Sequence, residues 1–167
     1  MIHLYTGDGK GKTTAAIGLA VRAAGNSLPV CFAQFMKGSE TGELHSLAQL
    51  PNVRILRSEK DFGFYRHMRE EDKAALRQIH DAILDQLLEA AETAGLIVLD
   101  EITYPVNWGL VDVEKLRRLL QISKAELVLT GRDAADFLTD CADYVTEMRC
   151  VRHPYQRGVP ARKGIEY

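Results

Sequence analysis

TGDGKGKTT, residues 6–14, decides how the rest of this chain is read. It comes within one residue of G-x-x-x-x-G-K-[ST], the loop that wraps phosphates in nucleotide-using proteins. Gly11, Lys12 and Thr13 hold the expected spacing, and Thr6 stands where the first glycine belongs. A phosphate cradle needs backbone N–H groups converging on oxygen anions, and Gly7, Gly9 and Gly11 let the chain wrap that tightly. The flanks agree with a cradle. IHLYT (2–6) is a short apolar-rich run, and TTAAIGLAVRAAG (13–25) reads as an alanine-rich helix whose N-terminal dipole faces the loop. Gly25 is its stop. Lys12 is placed to reach the phosphates, and the Thr13 hydroxyl to bind Mg2+. A strand-end residue is accommodated at position 6, so Thr6 costs only the outermost glycine.

Outward from the loop, PVCFAQF (29–35) and NVRIL (52–56) read as strands, with Met36, Lys37 and Gly38 as a loop after the first of them. RSEKDFGFYRHM (57–68) has no periodicity and is expected to be a mobile loop. Residues 70–95 form the longest helix candidate: Leu76, Ile79, Ile83, Leu87 and Ala91 recur at helical spacing, and Gly95 is the expected stop. LIVLD (96–100) is a continuous apolar run ending in acid, as in a central parallel strand. Asp100 and Glu101 there occupy the usual position of a Mg2+-coordinating or water-binding acid. Asp112 caps VEKLRRLLQ. ELVLT (126–130) and YVTEM (144–148) complete the strands around a short helix near 134–141.

Alternating strands and helices predict an α/β domain, a mostly parallel sheet with helices on both faces and right-handed crossovers. One domain spans 1–167. It ends in a basic tail, 149–167, where Arg149, Arg152, Arg157, Arg162 and Lys163 face a single acid, Glu166. That tail is read either as a solvated surface or as a cover over a ligand.

Composition narrows the function. With 46% hydrophobic and 26% charged residues, 167 residues build one ordinary core. A net charge of -2 gives no global basic field for nucleic acid or an anionic membrane. MIHLYTG lacks the pattern of a signal peptide, and no apolar run approaches the ~20 residues of a membrane span. Cys31, Cys141 and Cys150 are odd in number, show no CxxC spacing and read as free thiols of a cytoplasmic protein. His3, His45, His67, His80 and His153 show no metal-ligand spacing, so no zinc site is expected. A guanine site carries N-K-x-D, which is absent, and ATP is the expected nucleotide.

Phosphate and Mg2+ motifs do not by themselves separate an ATPase from a kinase or a nucleotidyl transferase. The order YTGDGKGKTTAAIG, LDEITYPVNWGLVDVEKL (99–116), VLTGRDA (128–134), ADYVTEMR (142–149) and HPYQRGVPARKGIEY (153–167) is more specific. Over nearly the whole length, Ile2 to Tyr167, the chain resembles the P-loop type ATP:cob(I)alamin (corrinoid) adenosyltransferases. The resemblance implies a P-loop NTPase-like (RecA-like) fold in which Thr6 belongs to the family's loop. It implies a transferase of cobalamin biosynthesis or salvage. Co(I) of a reduced corrinoid attacks C5′ of ATP, giving adenosylcobalamin and tripolyphosphate.

It also implies site roles. Residues Thr6, Gly7, Asp8, Gly9, Lys10, Gly11, Lys12, Thr13 and Thr14, with Arg132 of TGR, would bind ATP. Lys12, Lys10 and Arg132 would stabilise the departing charge. Thr13 and Glu101 would hold Mg2+, with Asp100 in support. Phe62, Phe64 and Tyr65 occupy the segment whose aromatic residues displace the corrinoid's lower axial ligand in the family, or they pack the loop on the core. Tyr104 and Trp108 line the pocket or pack likewise. An electron-donating reductase and a homodimer are implied as well. Longer relatives carry an N-terminal extension over the corrinoid; this chain starts at Met1, directly before the first strand, so that cover is expected to be missing. Two other functions stay open from the residues alone: a generic P-loop ATPase or phosphotransferase, and a nucleotide-gated corrinoid-binding module.

Overall fold

The structure, a computed structural model, describes residues 1–165; Glu166 and Tyr167, the end of the tail motif, lie outside the described residues. Six strands form one sheet in the order β3-β2-β4-β5-β1-β6, every neighbouring pair parallel. They are β1 (Ile2–Thr6), β2 (Val30–Gln34), β3 (Val53–Arg57), β4 (Leu96–Asp100), β5 (Glu126–Thr130) and β6 (Tyr144–Glu147). The expected mostly parallel sheet is thus wholly parallel among the described residues.

Alternation along the central strands builds two cores. Cys31, Ala33, Ile97, Leu99, Leu127 and Leu129 face one side of the sheet; Val30, Phe32, Leu96, Val98 and Val128 face the other. The first side is covered by α3 (Glu70–Ala90) and α5 (Val113–Ile122) through Ile83, Leu84, Leu87, Leu116 and Leu119. The second is covered by α1 (Lys12–Gly25) through Ala16, Ala20, Ala23 and Ala24. Small alanines let α1 lie close to the sheet, and that closeness positions its N-terminus at the strand ends. Burying both faces explains why β2 and β4 read as continuous apolar runs.

The structure departs from the sequence reading in two places. Helix α3 ends at Ala90 rather than running to Gly95, and a turn comes after it. Gly95 instead starts the approach to β4: its N–H donates to the Pro29 carbonyl at 2.8 Å, and a Cβ there would meet Leu28 at 2.9 Å. Two short helices, α2 (Gly42–Leu47) and α4 (Thr103–Asn107), have no counterpart in the sequence reading, being too short for periodicity to mark. Beyond Arg57, which ends β3, the segment to Met68 is irregular as expected, apart from a 3-10 turn at Tyr65–His67. A last helix, α6 (Asp136–Asp140), lies within the expected 134–141 stretch. Among the described residues no helix is long and apolar enough to cross a membrane.

Candidate active site

The C-terminal ends of β1, β4 and β5 lie side by side and converge on one cleft of about 870 Å³. Open parallel sheets bind ligands in this position, outside the carboxyl ends of the strands. The loop after β1 forms its floor. Thr6 is still a sheet residue, in register with Glu147 of β6, and its carbonyl accepts from the Met148 N–H at 2.8 Å. The chain leaves the sheet one residue later, at Gly7, whose φ is 90°. A glycine is therefore not required at position 6, which accounts for the departure from the loop pattern.

The loop is anchored on the chain after β6. Gly9 N–H donates to the Met148 carbonyl at 2.6 Å, and a Cβ at Gly7 or Gly9 would lie 2.6 Å from that same oxygen. These glycines are demanded by close approach of two backbones. Lys12 is almost wholly buried, and its ammonium donates to the carbonyls of Gly7 at 2.6 Å and Gly9 at 2.7 Å. Burial, then the like charge of Arg132, pulls its pKa below the usual lysine value, against the pull of Glu101 and Asp8. An incoming polyanion relieves both effects, because it supplies the missing countercharge.

Asp100 is the hub of the cleft wall and is fully buried. Its Oδ1 accepts from the hydroxyls of Thr13 at 2.8 Å and Thr130 at 2.7 Å; its Oδ2 is ion-paired with Lys37 at 3.0 Å and accepts from Gln34 at 3.5 Å. Both oxygens are thus engaged by protein donors. Glu101 is placed differently. Its backbone sits in the left-handed region, φ 64°, held by donation of its N–H to Thr130 Oγ1 at 2.9 Å. Holding a non-glycine there costs on the order of 1–3 kcal/mol. The carboxylate lines the cleft, and burial, then the neighbouring Asp100 charge, raises its pKa despite Lys37, Lys12 and Arg132.

Arg132 is delivered by the turn after β5. Gly131 (φ 145°) lies so close to α4 that a Cβ would fall 1.9 Å from Thr103 Oγ1. Arg132 Nη2 donates to the Asp8 carbonyl at 3.3 Å, and the side chain lines the cleft with Lys12. The structure therefore gathers Asp8 to Thr14, Glu101 and Arg132 around one cavity. Thr6 and Gly7 support the loop from below, and Asp100 stands behind Thr13.

Sequence reasoning missed Lys37, Thr130 and the placement of the tail. Lys37 comes after β2 and lines the cleft; burial lowers its pKa, but its ion pair with Asp100 wins and raises it. Thr130 belongs to the TGR segment, yet its link to Asp100 is a contact between two strands that spacing cannot show. His153, Gly164 and Ile165 also line the cleft, and Lys10 donates to the Ile165 carbonyl at 3.1 Å. The described part of the tail thus returns to the phosphate loop at these points, while most of its residues stay exposed.

The aromatic candidates divide. Phe62 packs beside Met68, Leu76 and Leu110 under the Lys60 ammonium, 4.4 Å from its ring. Phe64 is 82% exposed. Tyr65 stacks on Trp108 at 4.4 Å, and Trp108 touches Tyr104 at 5.1 Å, which itself lines the cleft. An aromatic path therefore runs from the cleft to the 57–68 loop. A second link runs through Gly38, where a Cβ would fall 2.3 Å from the Lys60 carbonyl. The turn carrying Lys37 is pinned in addition by buried His80. Its Nδ1–H donates to Leu110 O at 2.8 Å while Nε2 accepts from Met36 N–H at 3.3 Å.

The parallel sheet and the glycine-lysine loop define a P-loop NTPase-like α/β fold. A solved structure, the flagellar accessory protein FlaH from Methanocaldococcus jannaschii, shares this fold with TM-score 0.56 at 12% identity, covering 87% of this chain and 69% of that one. The particular family comes from sequence. Residues 1–167 match the ATP:corrinoid adenosyltransferase family BtuR/CobO/CobP, and the chain belongs to it. Corrinoid adenosyltransferases from Escherichia coli (32% identical) and Salmonella typhimurium (34%) each align with the whole chain and with 85% of their own length. One from Pseudomonas aeruginosa is 33% identical over the whole chain and 83% of its own length.

Proposed function

We propose that this protein transfers the adenosyl group of ATP to a reduced corrinoid, cob(I)alamin or a close relative, with tripolyphosphate as leaving group. One observation supports this best: Lys10, Lys12, Lys37 and Arg132 surround a single cleft at the N-terminus of α1. That arrangement suits charge spread along a whole triphosphate rather than on one terminal phosphate. Transfer needs little acid–base chemistry. The Co(I) lone pair attacks C5′, the C5′–O bond breaks, and its electron pair leaves on the tripolyphosphate as cobalt becomes Co(III). The protein's work is to hold C5′ in line and to neutralise the growing negative charge with a preorganised cradle. Lys12 and the loop amides do this from below, Arg132 from the side.

The residues fit Mg2+. Glu101 presents a carboxylate to the cleft that takes no hydrogen bond among the described residues, and the Thr13 hydroxyl lies beside it across Asp100. Glu101 and Thr13 would hold the ion, which would supply positive charge against the phosphates. Asp100, with both oxygens engaged by protein donors, orients the Thr13 hydroxyl.

For the corrinoid, the Tyr65–Trp108–Tyr104 path, which reaches the cleft at Tyr104, and the exposed Phe64 next to Tyr65 offer an apolar surface. Removing a lower axial ligand eases Co(II) reduction, and these aromatics suit that role. A reductase supplying single electrons and a homodimer follow from the family resemblance. Placement in the cytoplasm agrees with three free thiols among the described residues.

Anaerobic incubation with ATP, Mg2+ and chemically reduced cob(I)alamin tests this reading. Adenosylcobalamin and tripolyphosphate in equal amounts are expected. ADP and phosphate formed regardless of corrinoid would make the protein a generic ATPase. Saturable binding with neither product would make it a binding module.

A further inference from the structure

Four non-glycine residues among the described ones have left-handed backbone, and three of them stand where strands meet the cleft. Met36 (φ 61°) comes after β2, Glu101 (φ 64°) after β4 and Asp133 (φ 50°) after β5; Ser27 is the fourth. Each of the three lines the cleft or adjoins a residue that does, since Lys37 comes after Met36 and Arg132 before Asp133. Backbone of this kind persists only where its surroundings hold it. In every one of these turns a side chain from another element supplies a bond. Thr130 Oγ1 accepts from the Glu101 N–H at 2.9 Å, and Asn107 Nδ2 donates to the Asp133 carbonyl at 2.7 Å. His80 Nε2 accepts from the Met36 N–H at 3.3 Å.

His80 is the holder that packing alone does not explain. It occupies a place on the apolar stripe of α3, one turn from Leu76 and one turn from Leu84, and is 1% exposed. Its two ring nitrogens work in opposite senses. The Leu110 carbonyl can only accept, so Nδ1 carries the proton and donates to it at 2.8 Å. Nε2 is then bare and meets the Met36 N–H. One fixed tautomer thus ties the middle of α3 to the segment after α4 and to the turn after β2.

That turn carries Lys37. At its far end the ammonium is ion-paired with Asp100 at 3.0 Å. At its near end the backbone is held on either side: the Phe35 N–H donates to the Asp100 carbonyl at 2.9 Å, and Gly38 is pressed against the Lys60–Asp61 backbone. Between these two anchors the strained residue has the His80 acceptor. Without it, a partly buried N–H loses its partner and the left-handed φ loses its support. The turn then relaxes, and Lys37 shifts from its place in the cleft wall.

We propose that His80 is a positioning residue of the nucleotide site: it sets where Lys37 stands in the cleft, and through Lys37 the affinity for the triphosphate. This role rests on the reading of the cleft as a triphosphate site. His80 itself lies behind the turn, outside the lining of the cleft.

The test is a calorimetric titration of adenosine 5′-(β,γ-methylene)triphosphate with Mg2+ into the full chain, without corrinoid. Two variants separate the two ends of the ring. His80→Asn keeps a donor near the Nδ1 position and loses the Nε2 acceptor, whereas His80→Gln keeps an acceptor near Nε2 and loses the Nδ1 donor. His80→Asn is expected to weaken binding about tenfold, and His80→Gln to stay within about threefold of wild type. Repeating His80→Asn on Lys37→Gln, which keeps a donor for Asp100 but no charge, closes a double-mutant cycle. There it should cost less than about twofold more, because the group it positions has already lost its charge. Equal losses with and without the Lys37 charge overturn the proposal and leave His80 a core residue. Wild-type affinity in His80→Asn does the same.

Should His80→Asn fail to fold, hydrogen exchange on the wild type decides. Saturation with the same analogue is expected to slow exchange of the Met36 amide by about tenfold, and Lys37→Gln to abolish that slowing. Unchanged exchange overturns the proposal. A wild type that binds no nucleotide overturns the proposed function together with this role, whereas normal binding with additive losses overturns the role alone.

Discussion

The phosphate loop and the aromatic loop are held by opposite means. Around 7–12 the contacts are backbone to backbone or buried lysine to backbone: Gly9 to Met148, and Lys12 to Gly7 and Gly9. Around 57–68, apart from the approach of Gly38 to Lys60 and the Arg57 bond to Ser39 O at 2.7 Å, they are mostly ring contacts and short local bonds, such as Tyr65 on Trp108, Lys60 over Phe62 and Gly63 N–H to Asp61. The first region is fixed before any ligand arrives, which a charge-stabilising cradle needs. The second can repack around a large flat substrate at little cost. On the proposed assignment, the phosphate loop supplies the preorganisation and the aromatic loop supplies adaptability toward the corrinoid.

The largest break in this comparison should come from Lys12→Ala. It is expected to lower transfer from Co(I) by about 10²–10³, the range for loss of one oxyanion-type donor. A thermal melt checks that the fold survives. Transfer within a few-fold of wild type would remove Lys12 from the cradle.

Thr130→Val should come next. It deletes the hydroxyl that donates to Asp100 and accepts from the strained Glu101 N–H, both inside the protein. About 1–3 kcal/mol of stability is expected to go, because a buried acceptor and donor lose their partner. Urea unfolding reads this directly, and an unchanged midpoint would mean that the network contributes nothing.

Phe64→Ala sharpens the contrast from the other side. With 82% of the residue exposed, stability should change by less than about 0.5 kcal/mol. Transfer starting from Co(II) should nevertheless fall more than transfer from chemically reduced Co(I). Equal losses from both starting states would argue against any role in displacing the axial ligand.

The smallest effect concerns the joint between the regions. Burial holds the His80 pKa below its ordinary value, despite its hydrogen bond to Leu110 and the nearby Asp81 charge. The unfolded chain therefore takes up this proton more readily than the folded one. The stabilising contribution is complete above the unfolded pKa, about 6.5, and is lost as pH falls toward the lower folded value. Melts between pH 8 and 5 should show this loss in the wild type and a weaker one in His80→Gln. Identical profiles would clear His80 of the effect.

Much of the nucleotide side was legible in the chain. The spacing of Gly9, Gly11, Lys12 and Thr13, the run ending in Glu101, and Arg132 from the family resemblance meet at one cleft, with Gly7 and Asp100 supporting it from behind. Their legibility has a cause: each sits at a strand end, and parallel strands deliver their C-terminal ends to the same edge. Lys37, Thr130 and His153 sit in the same cleft wall or behind it, but no local pattern marks them. Their partners lie on other strands or at the far end of the chain.

The sequence by itself determined the alternation of strands and helices, the phosphate loop and the family, because these depend on period, turn chemistry and motif order within short windows. Only the tertiary structure decided that Asp100 is consumed by Thr13, Thr130 and Lys37 while Glu101 faces the cleft. The two acids are adjacent in sequence, and a single left-handed turn at Glu101 sends them into different surroundings. It also decided that the basic tail returns to Lys10 and walls a second cavity. Such long-range contacts depend on where the whole sheet places its ends, information that no short stretch of sequence contains.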